Sequence, residues 1–252
     1  MGEAIIAGLL KAGACPAEAI VASDTSPVRL KHLKERHGIE VTKENMAVVA
    51  HADVLVLAVK PQIMPEVLRE VGHSINEDVV VISIAAGIRV ATLIQFIKAR
   101  LVRAMPNVCA TVGEGVTALV STPRVESFDR AMVDELFSSV GAVLWLEEAK
   151  MDAVTALSGS GPAYIFLIME ALIQAGVENG LTQEQSRALV YQMVKGSAAL
   201  AMQGEHPAVL RERVTSPGGT TAAALHELEA HGVRAAFLAA VAAAVRRSKE
   251  LG

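Results

Sequence analysis

The chain has 252 residues, 52% of them hydrophobic, 20% charged and 3% aromatic, enough for one large domain or two smaller ones around an aliphatic, alanine-rich core. A net charge of -4 and a pI near 6.0 argue against a nucleic-acid partner, which needs a basic face. Residues 1–12 read as an amphipathic helix closed by Gly13. Ile20-Val21-Ala22-Ser23 reads as a strand. Ser26 then offers an N-cap, Pro27 suits the first helical position, Leu30 and Leu33 give an apolar stripe, and Gly38 stops the helix. Val54 to Val59 is apolar at every position, as a strand buried on both faces of a parallel sheet should be, and Val79 to Ile84 repeats the signal. Strands alternating with helices imply a Rossmann-type doubly wound parallel sheet.

In that architecture the first element is a central strand whose glycine-rich turn leads into a helix like 1–12. Gly2 and Gly8 do not form that fingerprint, so the first strand and its phosphate-binding glycines are expected to be missing from this chain. Ligands of such sheets sit beyond the carboxyl ends of the strands. Three segments fall there: Ser23-Asp24-Thr25-Ser26, Ala58-Val59-Lys60-Pro61, and Ser83 to Gly87, where small Ala85 and Ala86 would admit a flat nicotinamide. Each alone reads equally as an ordinary βα turn; together they favour a dinucleotide. Asp24 suits the free ribose hydroxyls of NAD. A 2′-phosphate wants a cation, which Arg29 or Lys31 could supply unless both are solvated helix residues.

After Leu144-Trp145-Leu146-Glu147-Glu148 strand signals cease. The domains are expected to be 1–148, binding NAD(P), and 149–252, helical. Thr182-Gln183-Glu184-Gln185 is a capping box opening a long helix. The helix through residues 235–241 is apolar all round and needs burial on every side, which a second subunit would provide. No unbroken apolar run reaches the roughly 18 residues of a membrane span; the longest candidate, 235–245, is mostly alanine and leads into Arg246 and Arg247. Cys15 and Cys109 lie far apart, without CxxC or Cys/His clustering. No disulfide framework or metal site is therefore expected, and a cytoplasmic location is. His206, His226 and His231 lack ligand spacing and read as surface or cap residues, and Cys109 reads as a small buried hydrophobe.

Two motifs stand out in the second half: Leu157-Ser158-Gly159-Ser160-Gly161-Pro162-Ala163-Tyr164 and Val214-Thr215-Ser216-Pro217-Gly218-Gly219-Thr220-Thr221. In the second, Pro217 fixes the entry, Gly218 and Gly219 expose backbone N–H groups, and a helix is expected from Ala222, with a threonine as the plain N-cap reading. Such a helix N-terminus suits a substrate carboxylate. With Ala58-Val59-Lys60-Pro61, Ser83 to Gly87 and Asp152-Ala153-Val154, the ordered set resembles pyrroline-5-carboxylate reductase over nearly the whole chain.

The resemblance implies NAD(P)H-dependent reduction of 1-pyrroline-5-carboxylate to L-proline, with NADPH slightly favoured, in a homodimer that can assemble into a ring of dimers, with no nucleic acid or membrane involved. It implies that Thr221 brings its hydroxyl to the ring nitrogen while Gly219 and Thr220 hold the carboxylate through their N–H groups, in a turn that includes Ser216 and Gly218. It places Glu148 near the substrate. It places Met1, Asn45 and Asn107 at the cofactor with Ser23, Asp24, Ala58, Val59, Lys60, Pro61, Ala85 and Ala86. Related β-hydroxyacid dehydrogenases carry a lysine four residues after a similar GxG as acid/base for an alcohol. Here Pro162-Ala163-Tyr164-Ile165 follow Gly161, with no lysine before Lys195. Imine reduction is less demanding, because the nitrogen takes its proton before hydride arrives. A β-hydroxyacid-type dehydrogenase and a non-catalytic dimer are the alternatives.

Overall fold

The computed structural model describes residues 1–251. Its first helix, α1 (Gly2–Ala12), ends on Gly13 at φ 67°, a left-handed conformation open to glycine at no steric cost. β1 (Val21–Ser23) leads into α2 (Pro27–His37), whose start is as the sequence implies. Ser26 Oγ accepts the Arg29 N–H at 3.4 Å, Pro27 sits in the first turn and Gly38 closes the helix. β2 (Glu40–Thr42), α3 (Asn45–Val49), β3 (Val54–Leu57), α4 (Met64–Val71), β4 (Val80–Ser83) and α5 (Val90–Leu93) continue the alternation. β5 (Arg100–Pro106), β6 (Gly115–Ser121), α6 (Ser127–Ser138), β7 (Gly141–Trp145) and α7 (Met151–Val154) complete this half.

The strands form two sheets, β1-β2 and β3-β4-β5-β6-β7. Pairing is parallel throughout except between β5 and β6, which run antiparallel. Only a short connection with one 3₁₀ stretch joins those two strands, too little for the crossover a parallel pair requires. β4 is buried at all four positions, as its unbroken apolar run demands. β3 buries only Leu55 and Leu57, so the expected burial on both faces holds for one strand and half-holds for the other. One sheet face packs Leu55, Leu57, Val81 and Leu101 against Met64, Leu68 and Leu93. The opposite face packs Ile82, Val102 and Leu119 against Ile5 of α1 and Val133 and Phe137 of α6. Gly8 permits that contact, since a Cβ there would come 2.3 Å from Val140 Cγ1. At the end of β7, Trp145 donates from Nε1 to Asp134 Oδ1 at 2.7 Å, and the Arg130 guanidinium lies 4.7 Å from its ring centroid.

Beyond β7 the chain is helical. α7 passes through a widened π turn at Thr155–Gly159 into α8 (Gly161–Glu178), followed by α9 (Gln183–Ala201), α10 (Pro207–Arg213), α11 (Thr220–Ala230) and α12 (Val233–Leu251). The capping box on α9 forms as read, with Thr182 and Gln185 exchanging side-chain bonds at 3.2 and 2.9 Å. His206 caps α10 by accepting the Ala208 N–H at 3.2 Å. The described residues divide into two compact units, 1–160 with 244–251, and 161–243. The stretch from Glu148 to Ser160 and the last turns of α12 thus pack with the sheet. Ser248 Oγ fixes those turns by donating to Asp152 Oδ1 at 2.7 Å.

In the helical unit only Ser186 and Val190 are buried, while Phe166, Leu167, Leu189 and Leu238 are all more than half exposed. An isolated chain thus leaves the apolar stretch of α12 uncovered. One helical run, Glu148–Glu178, is long and apolar enough on average to cross a membrane by length and composition, although Lys150, Asp152 and Glu170 interrupt it and no unbroken apolar run of that length occurs, as expected. Two of its polar members are satisfied inside the helix. Thr155 Oγ1 donates to Met151 O at 2.9 Å, and Ser158 Oγ to Val154 O at 3.0 Å.

Candidate functional site

Within the first unit, the residues expected to meet the cofactor lie at the carboxyl ends of β1, β3 and β4. After β1, Ser23 Oγ donates to Asn45 Oδ1 at 2.8 Å, and Asp24 Oδ1 accepts the Ser26 N–H at 2.8 Å, an Asx turn that aims the chain into α2. Asn45 gives its other end to Glu70 Oε2 at 2.8 Å. Asn45 thereby holds Ser23 in place, using one Oδ1 lone pair and one Nδ2 hydrogen of its amide. After β3, the Ala58 to Pro61 turn closes with the Ile63 N–H on Lys60 O at 2.9 Å. Gly2 brings the start of α1 against this turn, since a Cβ there would lie 3.1 Å from Ala58 Cβ. Met1 is the N-cap of α1, and its carbonyl takes the Ala4 and Ile5 N–H groups. No acceptor among the described residues takes the amides of Gly2 and Glu3. After β4, Ala85 is buried, Ala86 exposed, and Gly87 adopts φ 78°.

This set fits a dinucleotide. Open amides and the helix dipole at the start of α1 suit phosphate, Ser23 and Asp24 suit ribose hydroxyls, and the alanines leave backbone exposed for a flat ring. Arg29 is not a free cation for a 2′-phosphate. Its Nη2 lies 2.6 Å from Glu3 Oε2, where His32 (2.8 Å) and His37 (3.1 Å) also bind the same carboxylate. The hydrogen bond from His32, with those from His37 and Arg29, holds the Glu3 carboxyl at about 2, well below its ordinary 4.5. Lys31 pairs with Glu35 on the solvent face at 3.7 Å.

Asn107 is 9% exposed and makes two side-chain hydrogen bonds. It donates to Ser158 O at 3.2 Å and accepts the Val116 N–H at 3.3 Å. It pins the end of β5 to the first glycine-rich motif, where Gly159 leaves room for Met105 (a Cβ there would come 2.8 Å from Met105 Cε). Glu148 is half-buried. Its Oε1 accepts from Arg103 Nη1 at 2.5 Å and from the Val90 N–H at 3.3 Å, while Oε2 has no partner among the described residues. Sequence reading missed Arg103 altogether, because nothing local marks its partner 45 residues away.

The second motif lies in the helical unit between α10 and α11. Gly218 adopts φ 67°, and the Gly219 N–H turns back to Ser216 O at 3.0 Å. Two expectations change. α11 starts at Thr220 rather than Ala222, with Gly219 and not a threonine at the N-cap, and the Gly219 amide serves the turn instead of a ligand. The first amide to bond back is Ala223, to Gly219 O at 3.2 Å. The N–H groups of Thr220, Thr221 and Ala222 are thus left facing outward, and Thr221 is half-buried with no hydrogen bond to its hydroxyl among the described residues. Preorganised donors at a helix N-terminus hold a carboxylate, and an unengaged hydroxyl one residue in can meet a neighbouring ring atom.

Comparison with known proteins matches these features. The family model described as pyrroline-5-carboxylate reductase dimerisation matches residues 148–251, and one described as NADP oxidoreductase, coenzyme F420-dependent, matches 1–87. A pyrroline-5-carboxylate reductase of Methanosarcina acetivorans is 42% identical over 255 residues, covering 100% of this chain and 94% of the relative. One from Arabidopsis thaliana is 40% identical, covering 100% and 92%. Among solved structures, a pyrroline-5-carboxylate reductase from Coxiella burnetii superposes with a TM-score of 0.92 at 38% identity, covering 100% of this chain and 94% of that one. The Plasmodium falciparum enzyme, solved with NADP bound, does so at 0.90 and 34%, with the same coverage.

Proposed function

This chain belongs to the pyrroline-5-carboxylate reductase family, and on that footing we propose that the turn 216–221 holds the substrate carboxylate while the strand-end turns of the first unit hold NAD(P)H. The reaction is reduction of 1-pyrroline-5-carboxylate to L-proline. When bound, the cofactor supplies the hydride. The chain's own residues bind and orient. The amides of Thr220, Thr221 and Ala222 take the carboxylate, with Ser216, Gly218 and Gly219 shaping the turn, and the Thr221 hydroxyl polarises the ring nitrogen. On the cofactor side, Met1 heads the helix for phosphate, Ser23 and Asp24 meet ribose, Ala58 to Pro61 line the approach, and Ala85 and Ala86 bound the ring. Asn45 and Asn107 support these turns from behind.

The observation that carries this reading is the α11 N-terminus, with three outward amides beside the unengaged Thr221 hydroxyl. Residues 1–148 are the nucleotide-binding part and 149–252 the substrate-binding and dimerisation part, a division supported by the dimerisation match from residue 148. NADPH is preferred to NADH, in keeping with the NADP oxidoreductase match over 1–87. Dimers assemble further into a ring, and the protein works in the cytoplasm, where Cys15 and Cys109 stay free thiols. The test is oxidation of NADPH and NADH by the purified chain with 1-pyrroline-5-carboxylate, proline being quantified and the assembly's mass measured by light scattering. Proline formed in step with oxidised NADPH is expected. Turnover of β-hydroxyacids in its place would overturn the reading.

A further inference from the structure

Arg103 sits on β5, 4% exposed, with Glu148 as its ion partner. A buried pair of charges is seldom retained for stability, because desolvation offsets most of its attraction and apolar side chains of similar size do as well. What this pair touches suggests another use. The Glu148 carboxylate also takes the Val90 N–H, the first amide of α5, a helix whose N-cap Arg89 makes no side-chain cap bond. Val90 ends the segment that leaves β4 through Ala85 and Ala86. The segment begins at Ser83, and the β4–β5 register sets Ser83 directly opposite Arg103. Register partners on adjacent strands present the same face, here that of Val81 and Leu101. Ser83 is fully buried, and its Oγ, like Glu148 Oε2, has no hydrogen-bond partner among the described residues.

We propose that Arg103 and Glu148 are positioning residues that clamp both ends of the 84–89 turn, and so set the wall against which the nicotinamide lies. Arg103 backs the start of the turn from β5. Glu148, drawn inward by Arg103, grips its end through the Val90 amide. Glu148 is also the first residue matched by the dimerisation family, so the clamp ties the hydride-side turn to the point where the helical part begins. The assignment of this turn to the nicotinamide rests on the functional reading above; the clamp itself is a property of the fold.

Hydrogen–deuterium exchange tests the clamp without cofactor or substrate. Arg103→Met should raise exchange of the amides at 85–90 at least tenfold while α6 (residues 127–138) exchanges as in the parent. Glu148→Gln keeps an acceptor for both donors and should stay within about threefold of the parent. The double variant Arg103→Met/Glu148→Leu replaces the pair with packed apolar groups, so its melting temperature should match the parent's. Its 85–90 amides should nonetheless stay fast, and its NADPH dissociation constant, from cofactor fluorescence, should rise at least fivefold. Parental exchange at 85–90 in Arg103→Met or, should that variant fail to fold, in the double variant would overturn the clamp, as would a parental NADPH dissociation constant in the double variant. A parent chain that neither binds NADPH nor forms proline would instead sink the functional reading, leaving the exchange result to decide the clamp.

Discussion

Under the proposed function, Thr221 is the residue on which the chemistry turns. Its hydroxyl is unengaged, and its amide belongs to the outward-facing set at the start of α11. Loss of one hydrogen bond to a group that is charged in the transition state costs about 1.5–3 kcal/mol, or roughly ten- to a hundredfold in rate. Thr221→Ala should therefore lower kcat/KM by that factor without abolishing turnover, and Thr221→Ser should recover most of it. Wild-type kcat/KM in Thr221→Ala would leave the polarising role to backbone or solvent. Two positions earlier, a Cβ on Gly219 would come 2.5 Å from Ser216 Oγ and 3.2 Å from Ser216 O. Gly219→Val should raise the KM for 1-pyrroline-5-carboxylate at least tenfold and leave NADPH affinity within about twofold; an unchanged KM in a folded variant would refute the carboxylate seat. The proline, paired glycines and threonines made this turn legible in the sequence, because its geometry is local. Which amide faces out was not, since that depends on where helix bonding starts. The structural partners of Asn45, Asn107 and Glu148 were hidden for the opposite reason: each is engaged by groups that only the folded chain brings near.

Helix starts and stops were the most legible elements. Ser26, Pro27 and Gly38 bound α2, and Thr182 with Gln185 opens α9, because capping acts within four residues. The antiparallel turn of β6 against β5 was hidden, since pairing direction is settled by a neighbour across the sheet. The α1–α2 contact was hidden too. There Glu3 of α1 gathers Arg29, His32 and His37 of α2. With its carboxyl at about 2 in the folded chain against an ordinary 4.5, Glu3 contributes stability that is complete above about 4.5 and lost as pH falls toward 2. Solvent reaches this cluster, so the contribution is on the order of 1 kcal/mol and not the full value of the shift. Glu3→Gln should accordingly lower the melting temperature at pH 6 by about 2–4 °C. The gap between parent and variant should narrow as pH drops from 4.5 to 2. A gap that stayed constant across that range would mean that the four side chains meet without energetic consequence.

At the scale of the molecule, residues 161–243 bury too little to be stable alone. An open groove of about 700 Å³ between α8 and α9, lined by Phe166, Met169, Ile173, Val177 and Tyr191, adds to the exposed leucines of this unit. A homodimer covers such surface, as the family match over 148–251 requires. Sedimentation at micromolar concentration should show no folded monomer, and Leu238→Asp, at a position 70% exposed in the single chain, should shift the distribution toward slower or unfolded species. A monodisperse folded monomer of the parent chain would contradict this. The all-apolar face of α12 made the need for a partner legible, while the partner's fit was beyond any single sequence. The position of Trp145 has a consequence for observing all this. It is the sole tryptophan and lies at the end of β7, in the sheet unit, while the other unit is built of helix alone. Indole emission is therefore an optical reporter of the sheet unit alone, while far-ultraviolet ellipticity reports the helices of both units. On tenfold dilution the ellipticity midpoint should fall, because the helices lose their partner by mass action, while the emission midpoint holds still. Coincident midpoints that moved together would instead reveal one cooperative transition, in which the sheet melts only when the dimer does.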